Sequence, residues 1–259
     1  MRFRPCIDIH NGKVKQIVGS SLTDDSASAS ENFVSEKDAA FYAGLFKKHD
    51  LKGGHAIILN KKGTPEYDAS LKQCISALSE FPGGLQAGGG IDDKNAGIFL
   101  DAGASHVIVT SFVFSDGKVN YDNLDKITGA VTRKRLVLDM SCKAFDGKYF
   151  VMTDRWTKKT DEEFSAELLK RLSLYCDEFL IHAVDVEGKN GGFSEGVFSI
   201  LSAFDEVPVT YAGGISCYDD IKKAGKLGAG KVDITIGSSL DIYGGNLDMN
   251  EVIKACRSI

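Results

Sequence analysis

Gln86-Ala87-Gly88-Gly89-Gly90-Ile91 and, just under half a chain later, Tyr211-Ala212-Gly213-Gly214-Ile215 are near copies of one another. The first block is followed by Val107-Ile108-Val109-Thr110-Ser111 and the second by Ile234-Thr235-Ile236-Gly237-Ser238. In both places an apolar run ends in glycines and the next apolar run ends in small hydroxylic residues, with the spacing held nearly constant. Such self-similarity marks a duplicated unit. A glycine-rich strand end that leads into a helix leaves backbone N–H groups and the helix N-terminus open to an anion. Two of them predict a ligand with a phosphate at each end.

Working outward, short apolar runs alternate with amphipathic stretches of helix length. Strands are expected near 4–9, 56–59, 85–87, 106–110, 136–139, 178–183, 209–212 and 233–237. Helices are expected over 37–48, 67–78, 94–102, 121–131, 162–176, 193–202, 219–227 and 250–257. Eight such units in 259 residues predict a single (β/α)8 TIM barrel, one domain over 1–259. The halves, about 1–125 and 126–259, are duplicated half-barrels whose open edges require each other. The repeat extends to Cys6-Ile7-Asp8-Ile9 and Val137-Leu138-Asp139-Met140, each followed by a hairpin-type turn, Asn11-Gly12-Lys13 and Asp146-Gly147-Lys148. Two stretches after these strands, 20–35 and 141–160, read as irregular loops on the catalytic face.

Asp8 and Asp139 fall at the C-terminal ends of apolar strands, where barrels place their chemistry. A carboxylate there costs desolvation, so function is a reason to keep it. Strands one and five lie across a barrel from each other, which suits one acid and one base acting on different atoms of a central ligand. Thr110, Ser111, Ser238 and Ser239 offer hydroxyl donors beside the glycines. His10 shares a strand side with Asp8; His49, His55 and His106 read as surface or strand-start residues; His182 reads equally as a site residue or a core histidine. Trp156, the single tryptophan, sits in a polar loop and is expected to stack on a flat heterocycle.

The net charge of −5 comes from mixed charges without a long basic run, which argues against nucleic acid and anionic membrane as partners. The start, Met1-Arg2-Phe3-Arg4-Pro5, has no apolar core of a signal peptide, and no segment reaches a membrane span. The six cysteines are scattered, with no CxxC pair, and read as reduced packing residues. A cytoplasmic monomer with a small-molecule partner is expected.

Taken together, Ile7-Asp8-Ile9 with Asn11-Gly12-Lys13, the 86–91 block, Leu138-Asp139, Asp154-Arg155-Trp156, Ala212–Ile215 and Ile236-Gly237-Ser238 resemble the histidine-biosynthesis isomerases that act on phosphoribosylformimino-5-aminoimidazole carboxamide ribotide. The similarity spans the chain, and His182-Ala183-Val184-Asp185-Val186-Glu187-Gly188 looks like the fungal and eukaryotic version. The resemblance implies an Amadori rearrangement of an aminoaldose to an aminoketose, with no metal and no cofactor. It implies Asp8 as the base and Asp139 as the acid, phosphate sites at Gly88, Gly89, Gly90, Thr110 and Ser111 and at Gly213, Gly214, Gly237 and Ser238, and a substrate-stacking Trp156; His182, from its place in the sixth strand alone, is set beside Trp156 as a candidate substrate contact. Bacterial members follow the sixth strand with a Thr and then an Asp-Gly-Thr run; Ala183 and the 187–189 region stand there instead, leaving Asp185 and Glu187 as substitutes to test. The second strand ends Leu59-Asn60-Lys61 where bacterial relatives tend to carry an Asp. Rival readings are the cyclase subunit of imidazole glycerol phosphate synthase, which needs ammonia from a glutaminase, and a non-catalytic phospho-ligand binder.

Overall fold

A computed structural model of the protein describes residues 1–17, 31–153, 156–186 and 192–259. Strand β1 (Cys6–His10) reverses through Asn11 and Gly12, both at positive φ, into β2 (Lys13–Ile17); β3 (Glu31–Val34) and helix α1 (Ala39–Lys48) follow. Alternation then sets in with β4 (Gly54–Ile58), α2 (Pro65–Glu80), β5 (Leu85–Gly88), α3 (Ala96–Asp101), β6 (Val107–Val109), a small hairpin β7 (Phe114–Ser115) and β8 (Lys118–Val119), and α4 (Tyr121–Val131). The second half supplies β9 (Leu136–Phe145), β10 (Lys148–Thr153), β11 (Lys158–Glu163), α5 (Ala166–Leu172), β12 (Glu178–Ala183), α6 (Glu195–Ser202), β13 (Val209–Ala212), α7 (Tyr218–Leu227), β14 (Val232–Thr235) and α8 (Met249–Arg257). Most helices start on a side-chain cap: Asp38, Thr64 followed by Pro65, Asn120, Ser165, Ser194 and Asp248 each accept from a first-turn N–H. Among the described residues no helix is long and apolar enough to cross a membrane.

Eight strands run parallel in the order β1, β4, β5, β6, β9, β12, β13, β14. The sheet curls until its ends meet. Phe3 bridges to Ile234 in parallel, Arg4 N–H donates to the Ile234 carbonyl at 2.9 Å, and Ile234 N–H donates to the Arg2 carbonyl at 3.0 Å. Strand alternation sorts the side chains. Ile7, Ile9, Leu138, Met140, Phe179, Ile181, Tyr211 and Ile234 belong to the main apolar core with the buried stripes of the helices. Ile108, Val137, Leu180 and Ala212, with Ile57, form a second cluster. Their strands are not all neighbours, so they can touch only inside the curl.

The floor of the curl is polar and buried. Arg4 Nε donates to Asp233 Oδ2 at 2.8 Å and Arg4 Nη1 to the two Glu178 oxygens at 2.9 and 2.7 Å, while Thr210 Oγ1 donates to Glu178 Oε1 at 3.0 Å. Burial works against the Arg4 charge, but Glu178 and then Asp233 outweigh it and raise its pKa. This cluster ties the lead-in of β1 to β12 and β14.

Three expectations need correction. The 141–160 stretch is not an irregular loop: β9 continues to Phe145, turns at Asp146 and Gly147, and pairs with β10, which pairs with β11. The aromatic and β-branched run Tyr149–Thr153 carries the strand, and the charges of Lys158–Glu163 belong to an edge strand, where charge is tolerated. The helix expected from 162 begins at Ala166, because Glu162 and Glu163 are in β11 and Ser165 caps the helix. Within 20–35, Glu31–Val34 is a strand paired with β2; residues 18–30 lie outside the described residues.

Candidate active site

Two clefts open at the carboxyl ends of the parallel strands. The first, with an open volume of ≈ 630 Å³, is lined by Asp8 from β1, Gln16 from β2, His55 from β4, His182 from β12, Gly213 and Gly214 after β13, and Gly237 and Ser238 after β14. The second, ≈ 390 Å³, is lined by Gly88 at the end of β5 with Gly89 and Gly90 after it, Thr110 and Ser111 after β6, and Asp139 on β9. Each carboxylate therefore faces the glycine cradle of the other half. The topology requires this: β14 joins the β1 lead-in, and β6 is the neighbour of β9.

The cradles match in backbone conformation. Gly89 and Gly90 have φ of 105 and 64°, Gly213 and Gly214 of 128 and 74°. A Cβ on Gly89 would lie 2.1 Å from the Ile58 carbonyl oxygen, and one on Gly214 2.1 Å from that of Gly192. Both the dihedrals and the close approaches call for glycine. Among the described lining residues there is no Lys or Arg. An anion there is met by backbone N–H groups and hydroxyls.

Asp139 is held at both oxygens. His182 Nδ1 lies 2.8 Å from Oδ1, and Thr110 Oγ1 donates to Oδ2 at 2.9 Å. The Thr110 hydroxyl, expected beside a phosphate, is thus directed to the carboxylate in this structure. Asp8 accepts from Gln16 Nε2 at 3.3 Å. Trp156, at φ 69°, donates from its indole Nε1 to Ser141 Oγ at 2.8 Å, two positions beyond Asp139 on the same strand face. Its neighbours Asp154 and Arg155 lie outside the described residues.

Two residues enter the site that the sequence did not assign to it: His55, read as a surface or strand-start residue, and Gln16, which was not singled out. His55 stands at the start of β4 and is buried, and its pKa is pushed down to about 3, first by burial and then by His182, with Asp139 opposing. It is neutral at ordinary pH. Alternation was the available signal, since His55 stands two before Ile57 in an apolar run. Gln16 is buried in β2, a polar residue inside the run Val14–Val18. His106 instead faces Asp177, 3.2 Å away and partly exposed, outside the clefts. Asp185, considered as a substitute acid, accepts from Ala144 N–H at 2.8 Å and so braces the β9 extension; Glu187 lies outside the described residues.

A curled eight-stranded parallel sheet with a carboxylate and a run of glycines in each of two clefts at its strand ends defines a TIM-barrel-like α/β protein. Within that class the chain belongs to the Histidine biosynthesis protein family, whose model matches residues 2–248. It is 46% identical over 257 residues to a Medicago truncatula protein, covering 98% of this chain and 81% of the relative, which is named 1-(5-phosphoribosyl)-5-((5-phosphoribosylamino)methylideneamino)imidazole-4-carboxamide isomerase HISN3, chloroplastic. Isomerases of the same name from Neurospora crassa (44% identity, 94% of this chain and 93% of the relative) and Saccharomyces cerevisiae (43%, 95% and 94%) are also similar.

Proposed function

We propose that this chain catalyses the Amadori rearrangement for which these relatives are named, opening the ribose of a doubly phosphorylated aminoaldose and closing the sequence as an aminoketose. The observation that carries the reading is the crossed pairing of Asp8 with the 213–214 and 237–238 cradle and of Asp139 with the 88–90 and 110–111 cradle. A ligand phosphorylated at both ends spans the clefts, with its reacting ribose between the carboxylates. Trp156, tethered to Ser141, supplies a flat surface for the carboxamide imidazole. The supporting fold is one (β/α)8 barrel over 1–259 made of two duplicated halves, about 1–125 and 126–259, acting as a cytoplasmic monomer without a cofactor.

Asp139 protonates the ring oxygen as the C1′–O bond breaks and the anomeric nitrogen forms the iminium. Asp8 removes the C2′ proton, giving the enaminol. Asp8 then returns its proton to C1′, and the C2′ hydroxyl proton goes back to Asp139 as the ketone forms. Both carboxyls are restored, as an isomerisation requires. Each acid–base contribution is worth roughly 10²–10⁴ in rate.

The test is turnover of the aminoaldose without an ammonia source, by the wild-type protein and by Asp8→Asn and Asp139→Asn. Conversion by the wild type, with retained binding and lost turnover in both variants, is expected. A chain that binds but never converts is a phospho-ligand binder, and one that consumes the ketose only when ammonia is supplied is the cyclase. Full activity of both variants sinks the assignment of base and acid.

A further inference from the structure

We propose that His182 is the positioning residue of Asp139, and that the two form a dyad sharing the proton delivered to the substrate. The inference rests on the reading of Asp139 as the acid. Asp139 is on β9 and His182 on the neighbouring β12, where register sets Leu180 beside Asp139 and His182 beside Ser141. His182 is thus one inward-facing position further up, and its Nδ1 reaches back to Oδ1 at 2.8 Å. Thr110 fixes Oδ2 from the other side at 2.9 Å. The side chains of Asp139 and His182 are only 15% and 20% exposed. In this shielded setting the short contact couples the carboxylate to the imidazole.

A lone carboxyl is a poor proton donor near neutrality because its ordinary pKa is about 4. A partner imidazole, ordinarily near 6.5, holds a proton up to the pH at which the acid must work. The dyad begins with one shared proton, loses it to the ring oxygen as the C1′–O bond breaks, and regains it from the C2′ hydroxyl. No external donor is needed. His182 also lines the cleft of Asp8, so it is the described side chain that touches one carboxylate while facing the cleft of the other. Among the described residues, the charged and titratable groups around it include Asp139 from β9, His55 from β4, whose electrostatics include His182, Asp139 and Arg4, and Asp8 and Cys6 from β1 in the shared cleft. Beyond β12, the β13 strand end offers Ala212 and Gly213, and the residue after β6 is Thr110. Sixth-strand Ala183 has no polar side chain to take this role, and Asp185 is turned to Ala144.

The experiment compares His182→Gln with the wild type and with Asp139→Asn, measuring kcat and KM from pH 5.5 to 9 together with thermal midpoints. His182→Gln is expected to lose about 10²-fold in kcat at pH 7.5 with KM changed less than about threefold. Its alkaline limb is expected to move down by more than about one pH unit, because only a carboxyl is left to hold the proton. An unmoved alkaline limb, whatever the size of the kcat loss, overturns the proposal and leaves His182 a structural group. Where His182→Gln does not fold, the wild-type protein decides by NMR titration of its 15N-labelled histidines: a His182 ring that titrates together with Asp139 supports the dyad, and one that stays neutral from pH 5 to 9 overturns it. Full activity of Asp139→Asn defeats the underlying acid assignment, a result separate from either outcome for His182.

Discussion

Gln16 Nε2 donates to Asp8 Oδ2 at 3.3 Å, and the Gln16 amide oxygen lies where a Cβ on Gly237 would come within 2.4 Å of it. One buried amide therefore stands between the proposed base and the cradle for a phosphate. The β1–β2 reversal places it there, since Ile9 pairs with Val14 and the returning strand passes back along β1. Removing the donor leaves Asp8 without one of its orienting bonds.

Gln16→Leu is accordingly expected to lower kcat about tenfold, the value of one hydrogen bond to a charged group of about 1.5 kcal/mol. The thermal midpoint is expected to change little, because the site borders an open cleft. Steady-state kinetics beside a melting curve checks this, and an unchanged kcat counts against a role for Gln16.

Gly89→Ala brings a methyl to within 2.1 Å of the Ile58 carbonyl oxygen at a φ of 105°, so backbone has to move. The expected destabilisation is roughly 2 kcal/mol, seen as a midpoint lowered by about 4–8 °C. The paired change Gly214→Ala meets the same 2.1 Å approach at Gly192. Because the cradles are proposed to bind the two ends of one ligand, calorimetry is expected to show weakened ligand affinity for both variants. Affinity unchanged in both argues against phosphate contacts there.

Arg4→Met strips the cation from Glu178 and Asp233 on the floor of the curl. Asp233 keeps bonds from Arg2 N at 2.7 Å and Arg2 Nε at 2.9 Å, whereas Glu178 keeps the Thr210 hydroxyl at 3.0 Å. Glu178 thus bears most of the loss, and the single variant is expected to cost about 3–5 kcal/mol in urea unfolding. Arg4→Met with Glu178→Leu removes both members of the buried pair and is expected to recover most of that loss. A double variant as unstable as the single one contradicts this account.

Much of the architecture was legible because period and punctuation agreed. Tyr121–Val131 and Val209–Ala212 fall where alternation and capping residues place them, and the glycine blocks lie at strand ends with the positive φ they imply. The turn between β9 and β10 was legible in Asp146-Gly147-Lys148, but the third strand, β11, was not, since charged Lys158–Glu163 resembles loop until its partner strand is known. Within the site, residue types were legible but partners were not. Asp139, Thr110 and His182 come from three strands, and nothing local to any of them says that two will hold the carboxylate of the third. His55 does stand at a strand start, as read, but its place in the cleft was hidden for the same reason: a histidine there becomes interior only once the sheet curls.

His55 also sets a pH dependence. Burial, reinforced by His182 and opposed by Asp139, brings its pKa down to about 3, against about 6.5 in the unfolded chain. Between those values the unfolded chain binds a proton that the folded chain does not, so stability rises with pH across the window. The contribution is fully present above about pH 6.5 and is lost as the pH falls toward 3, at no more than about 1.4 kcal/mol per pH unit. Carboxylates shared by wild type and variant add their own acid losses, so the informative quantity is the difference between the two. His55→Gln removes the titrating ring while keeping a polar side chain in the cleft wall, and is expected to show a shallower loss of urea midpoint between pH 6.5 and 4.5. Parallel curves for the two proteins mean that His55 takes up a proton in the folded state, and that the interior of the curl is wetter than its burial indicates.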